Sequence, residues 1–261
     1  MSDPAKSLAA RLRHGDLLFG TFLCLPCFQT AEALADAGFD CVVIDAEHAP
    51  TAPALVHLQL AALAASPTAA IVRLPDNDPV QIKYYLDLGA DALMVPNIRS
   101  AEEARAAVAA AQYPPDGLRG VGGSMRATRY GRDKSYARRA NSEICLILQI
   151  ESEEAMASLD AIIAVPGVDC LFFGPSDYAA SIGLLGEPAH PRVLAEIEAG
   201  VRAARAAGMA SGILVGEAFV DRFIAAGVQL MVVGSEVGLL VQAADGLAAR
   251  LAAKRGKDDN N

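Results

Sequence analysis

The chain has 261 residues, 53% of them hydrophobic, with no tryptophan and a net charge of −9. This is enough chain for one sizeable core, and ~250 residues is the usual size of a single (β/α)8 barrel. The acidic balance argues against nucleic acid as the main partner, and no apolar stretch approaches the ~18–20 residues that span a membrane. The N-terminal residues lack the apolar core of a signal peptide. Five cysteines, at 24, 27, 41, 145 and 170, lie in or beside apolar runs. Their odd number and setting suggest reduced thiols and a cytoplasmic location.

Strand-like and helix-like segments alternate along the chain. Residues 17–25 read as a strand and 30–37 as a helix ended by Gly38. Residues 41–44 are a second strand, followed by a helix over 52–65. The third strand is 70–74. Asp78-Pro79 then opens a helix to Leu88, with proline at the first helical position and Gly89 closing it. The fourth strand is 92–95, and Ser100 caps a helix to about Gln112. Two further apolar runs, 144–149 and 170–173, are continuous rather than alternating, as strands buried on both faces are. A helix over 191–207 stops at Gly208, a strand lies near Ile213, and a helix over 217–226 is followed by Gly227. The eighth strand is 230–233 and the last helix covers 235–253. Residues 254–261 read as a polar, disordered tail, which leaves 1–253 as one domain.

Eight such strands separated by helices indicate a parallel TIM barrel. The runner-up is an open doubly wound sheet, but its nucleotide loop is missing. Gly120-Val-Gly-Gly-Ser-Met125 fails G-x-G-x-x-G at the last position and does not follow a strand. In a barrel the residues just after the strands build the active site. Glu151 follows the fifth strand, and Asp177 follows the sixth in Gly174-Pro-Ser-Asp177. Two carboxylates meeting there would repel unless a cation sat between them, and a hard divalent ion suits oxygen ligands. The alternative is structural, with Glu151 starting a helix and Asp177 capping one.

His48, in Asp45-Ala-Glu-His48, is the one histidine of four just past a predicted strand end. It is a candidate acid/base because imidazole titrates near neutrality. Arg73 ends the third strand, where it can stabilise an oxyanion or hold a carboxylate, or form a structural ion pair. None of the five lysines lies in a strand-like run, so a Schiff-base lysine is not expected. Cys24-Leu-Pro-Cys27 matches C-x-x-C but lacks the further ligands of a zinc site. Residues 119–139 carry six arginines and one lysine against one aspartate. They form either a rim attracting anionic substrates or a solvated or subunit-contacting loop. Gly212, Gly216 and Gly234-Ser235 follow the last two strands, where many barrels bind phosphate.

The sequence resembles the HpcH/HpaI aldolase family, the class II pyruvate aldolases that include 4-hydroxy-2-oxoheptanedioate aldolase and 2-keto-3-deoxy-sugar-acid aldolases. The resemblance rests on Ala37-Gly-Phe-Asp40, Ile44-Asp-Ala-Glu-His-Ala-Pro50, Val72-Arg73, Asn77-Asp-Pro-Val-Gln-Ile-Lys83, Tyr113-Pro-Pro-Asp-Gly-Leu-Arg-Gly-Val-Gly122, Gln149-Ile-Glu151 and Gly174-Pro-Ser-Asp177. It spans roughly residues 17–250. It implies Glu151 and Asp177 as ligands of Mg²⁺, Mn²⁺ or Co²⁺, His48 as catalytic base and Arg73 as enolate stabiliser. Gln149 and the backbone at Ser176 and Asp177 would touch substrate, with Asp45 behind the metal ligands. Asp87 matches an acid that raises the basicity of the histidine across a subunit boundary. The family is typically a homohexamer, a trimer of dimers with exchanged C-terminal helices. Phe22 and Cys24 stand near the substrate pocket where relatives often carry other residues, including tryptophan. The implied reaction is reversible retro-aldol cleavage of a 4-hydroxy-2-oxo acid to pyruvate or hydroxypyruvate and an aldehyde, without a nucleotide cofactor. The alternatives are a citrate-lyase-β-like enzyme acting on a CoA thioester and a barrel that binds a metal and an organic acid without turnover.

Overall fold

The structure is a computed structural model that describes residues 7–258, with the backbone alone for 255–258. Its strands are β1 (Leu18–Leu23), β2 (Cys41–Asp45), β3 (Ala69–Arg73), β4 (Ala92–Val95), β5 (Cys145–Ile150), β6 (Cys170–Phe173), β7 (Ala210–Val215) and β8 (Leu230–Ser235). Each pairs in parallel with the next, and β8 pairs with β1, so the sheet closes into an eight-stranded barrel. Closure excludes the open doubly wound alternative.

The helices between strands are α2 (Phe28–Ala35), α3 (Pro53–Leu63), α4 (Pro79–Asp87), α5 (Ala101–Ala111), α9 (Pro175–Ser181), α10 (Pro191–Ala206) and α11 (Val220–Ala226). Local chemistry sets their ends. Asp78 and Ser100 accept from the amides of Gln81 and Glu103, which satisfies N–H groups that have no helical partner. Gly227 closes α11 at φ 106°, a left-handed conformation that a Cβ disfavours.

Alternate strand residues face two cores. Phe22, Val43, Ile71, Met94, Ile147 and Phe172 fill the barrel, while Val42, Ile44, Val72, Leu93, Leu148 and Leu171 pack outward against the helices. Helix α1 (Leu8–His14) plugs the N-terminal end of the barrel with Leu8 and Leu12. It is pinned by Arg11 to Asp40 at 2.6 Å and by Arg13 to Asp169 at 2.6 Å. That leaves the opposite mouth, at the strand C-termini, to carry the chemistry.

Besides α1 and α9, which the sequence reading did not contain, three segments depart from it. Residues 136–143 form a helix, α6 (Tyr136–Glu143), inside what reads as loop. Two short helices, α7 (Glu153–Ala157) and α8 (Leu159–Ile163), join β5 to β6. The last helix, α12 (Glu236–Asp258), runs through the first residues of the expected disordered tail, because Lys254 to Asp258 hold no proline and extend it. The rest of that tail lies outside the described residues.

Candidate active site

Two clusters face each other across the barrel mouth. The first is built on β2 and β3. Asp45 and Arg73 are register partners, each the last residue of its strand, so their side chains meet. Arg73 Nε and Nη2 lie 3.0 and 2.8 Å from Asp45 Oδ1 and Oδ2, a two-pronged ion pair. Asp45 Oδ1 also accepts from the amides of Glu47 and His48 at 3.0 and 3.2 Å. One buried carboxylate therefore fixes both the guanidinium and the turn that presents the histidine. Arg73 Nη1 lies 3.1 Å from Glu47 Oε2, and the guanidinium sits 4.6 Å from the centre of the Phe22 ring, a cation–π contact. Arg73 has five N–H groups and three of its nitrogens are engaged here, which leaves donors for a ligand. The His48 side chain is 64% exposed, with Nε2 3.7 Å from Glu47 Oε2, so it stands at the rim and is open to substrate.

The second cluster is built on β5 and β6. Glu151 is buried directly after β5. Its Oε1 accepts from the Asn97 amide at 2.7 Å and its Oε2 from Gln149 Nε2 at 2.8 Å. Asn97 reaches this position at φ 53°, in the left-handed region that asparagine tolerates better than most residues. Gly174 leaves the space that Glu151 fills, since a Cβ there would stand 2.6 Å from Glu151 Oε2. Asp177 is exposed in the first turn of α9. The amides of Ser176 and Asp177 open that helix and have no preceding turn to bond to.

The electrostatics connect the clusters. Burial pushes the Glu151 carboxyl up to about 7, the Asn97 amide opposes this, and the charges of Glu47 and Asp177 add to it. The Glu47 carboxyl is also raised, first by burial and further by Asp45 and Asp177, with Arg73 opposing. Four carboxylates thus share the mouth with one guanidinium. Gln149 Oε1 is buried there without a donor. Excess negative charge, hard oxygen atoms and an unused buried oxygen suit a divalent cation. Among the described residues no cluster of three or more His, Cys, Asp or Glu side chains is arranged as a metal site. Within the second cluster the carboxylates are Glu151, buried, and Asp177, exposed.

Of the residues expected at the site, Asp45, His48, Arg73, Gln149, Glu151, Ser176 and Asp177 all follow strand ends at this mouth or form the last turn of those strands. Asp87 does not. It ends α4, at the N-terminal side of the barrel, and bonds to the buried Arg119 at 2.8 Å. Topology prevents it from reaching His48 of its own chain. The basic stretch 119–139 is not a rim of this mouth either, because it leads into the start of β5. Arg119 is buried under Tyr113 and Tyr136, Arg126 bonds the carbonyls of Leu60 and Leu88, and Arg139 pairs with Asp133 and Glu143. Much of its charge is therefore structural. Glu47, Asn97 and Gly174 were not singled out from the sequence. Glu47 stood in the open beside His48, whereas the roles of Asn97 and Gly174 depend on contacts across 54 and 23 residues.

Comparison with known proteins bears on the fold and the family. The sequence profile of the HpcH/HpaI aldolase/citrate lyase family matches residues 18–243. The chain is 46% identical over 253 residues to a pyruvate aldolase of Rhizobium etli, covering 97% of this chain and 100% of that one. It is 45% identical over 246 residues to the 4-hydroxy-2-oxo-heptane-1,7-dioate aldolase of Salmonella dublin, with 94% of each covered. The crystal structure of an HpcH/HpaI aldolase/citrate lyase family protein from Burkholderia cenocepacia superposes with a TM-score of 0.91 at 40% identity, over 94% of this chain and 98% of that one. The barrel, the acidic mouth and these matches together place the chain in the HpcH/HpaI aldolase/citrate lyase family.

Proposed function

We propose that the protein is a metal-dependent aldolase that reversibly cleaves a 4-hydroxy-2-oxo acid to pyruvate, or hydroxypyruvate, and an aldehyde. Family membership makes it a carbon–carbon lyase. The observation that carries the metal-dependent reading is the buried Glu151, whose carboxyl feels Asp177 on its own side of the mouth and Glu47 on the other, with the Arg73 guanidinium as the balancing charge. Glu151 and Asp177 would hold Mg²⁺, Mn²⁺ or Co²⁺, whose charge lowers the cost of negative charge on the keto oxygen. The strands carry no lysine that could form a Schiff base.

The chain's own groups divide the remaining work. In cleavage, His48 takes the proton of the 4-hydroxyl. The electron pair left on the 4-oxygen forms the aldehyde carbonyl, and the C3–C4 bonding pair passes to the 2-oxo acid as its enolate. A proton delivered to C3 completes pyruvate. Arg73, held rigid by Asp45, turns its free N–H groups to the developing oxyanion. Gln149 and the amides of Ser176 and Asp177 orient the acid. Asp87 would assist His48 from a neighbouring subunit.

An exchanged α12 in a homohexamer, a trimer of dimers, belongs to the same reading. It is supported by the leucines at 239, 240, 247 and 251, which this helix leaves about half exposed. The five free thiols suit a cytoplasmic location. No helix among the described residues is long and apolar enough to cross a membrane.

The test is cleavage of a 4-hydroxy-2-oxo acid after exhaustive chelation. Activity is expected to vanish and to return with Mg²⁺, Mn²⁺ or Co²⁺. Activity that persists in chelator, with borohydride fixing pyruvate to a lysine, rejects the reading.

A further inference from the structure

Glu236 is a buried carboxylate that the reaction just described does not use. It opens α12 and reaches back to the loop that follows β1. Its Oε1 accepts from the amides of Cys24 and Leu25 at 2.6 and 2.5 Å. The β1–β8 register shows how it gets there. Gly20 faces Val232 but Phe22 faces Ser235, so β8 holds one extra residue at its end. Gly234 takes φ 62° within that bulge. A bulge of this kind re-aims the residues after it, and here it turns Glu236 over the outgoing end of β1.

The same loop is gripped from the other side. Gln59, fully buried on α3, donates through Nε2 to the carbonyls of Leu25 and Cys27, both at 3.3 Å. Pro26 has no amide, and the Cys27 amide bonds to Leu25. Two buried polar side chains, 177 positions apart in sequence, therefore hold four residues of loop. Burying such groups is costly unless they are hydrogen-bonded, and here the bonds they make are to this loop. The second oxygen of Glu236 is buried without a partner, so fixing this loop is the contact the carboxylate makes.

The loop borders the site. Phe22 lies under Arg73, and Cys24, just past the end of β1, packs against the same barrel-filling cluster as Phe22. In a closed barrel of eight strands, β1 stands diametrically opposite β5. With the 2-oxo acid at Glu151 and Asp177, on the β5–β6 side, the bond to be broken extends away from them. The aldehyde fragment then lies toward β8, β1 and β2.

We infer that Glu236 is a positioning and specificity-determining residue: with Gln59 it fixes the Phe22–Cys24 wall against which the aldehyde half of the substrate packs. This rests on the aldolase reading, but the two can fail separately.

Two reactions of the metal-loaded enzyme distinguish them. Exchange of pyruvate methyl protons in D₂O needs only the keto-acid side, whereas aldol addition also needs the aldehyde wall. E236A is expected to raise the aldehyde KM by about tenfold or more while exchange stays within about threefold. E236Q, whose amide oxygen can still accept both N–H groups, is expected to stay near wild type in both. If E236A is insoluble, Q59L, which removes the other half of the grip, is measured in its place with the same expectation. An unchanged aldehyde KM, or equal losses of exchange and addition, overturns the assignment. Absence of exchange in the wild type would instead sink the aldolase reading.

Discussion

A methyl group at Gly174 would stand 2.6 Å from Glu151 Oε2 and 2.9 Å from its Cβ, so a carboxylate placed to meet a cation would be pushed aside. Gly174→Ala is expected to weaken Mn²⁺ binding by about tenfold or more, while the melting temperature stays within a few degrees because the site is at the mouth and not in the core. Calorimetric titration together with a thermal melt checks this, and unchanged affinity would show that the cation lies elsewhere. The Glu151 carboxyl gives a second test. Burial raises it to about 7, so the metal-free protein holds a proton there below that pH. A cation needs the ionised form. Affinity should therefore fall as pH drops through 7, and Mn²⁺ should bind about tenfold more weakly at pH 6 than at pH 8. By linkage, a carboxyl raised in the folded state stabilises the metal-free protein at low pH, and that stability is lost as pH rises from 4.5 through 7. Affinity that does not change over this range would contradict the assigned ligand.

At the scale of elements, α12 is the anomaly. Leu240 and Leu247 are 59% and 50% exposed on a helix whose main contacts among the described residues are with β1 and β8. Burying a leucine contributes about 1.5–3 kcal/mol, and a symmetric assembly would repeat the contact in every subunit. If the proposed hexamer forms through this helix, Leu240→Asp with Leu247→Asp should split it into smaller species at micromolar concentration, as read by light scattering after gel filtration. An unchanged mass would remove this helix from the interface. Elements were legible where apolar runs and end signals coincided. β4 and β6 carry four continuous apolar residues each, and Asp78-Pro79 and Ser100 announce their helices. Helix α6 was not, because Tyr136-Ala-Arg-Arg-Ala-Asn-Ser-Glu143 buries only Tyr136 and Ala140 and shows no apolar stripe. Helices α7 and α8 were hidden by their length, five residues each, below what periodicity can register.

For the whole molecule, the candidate residues most readable in sequence were those that follow strands. The barrel turns that rule into geometry, bringing Asp45, Arg73, Glu151 and Asp177 to one mouth from positions more than 130 apart in sequence. What the order of residues did not disclose are contacts fixed only when strands pair: Asn97 on Glu151 across β4–β5, Gly174 beside it across β5–β6, and Glu236 across the β8–β1 seam that closes the barrel. Asp87 marks the limit of one chain, since it sits at the end of the barrel opposite His48 and is bonded there to Arg119. The central claim is that folding aims Glu151 and Asp177 at one divalent ion. Anomalous diffraction from a crystal grown with Mn²⁺ and pyruvate tests it most directly. One strong peak between these two carboxylates is expected, with pyruvate oxygens beside it; a mouth without a peak, or a peak held by other residues, would rule this arrangement out.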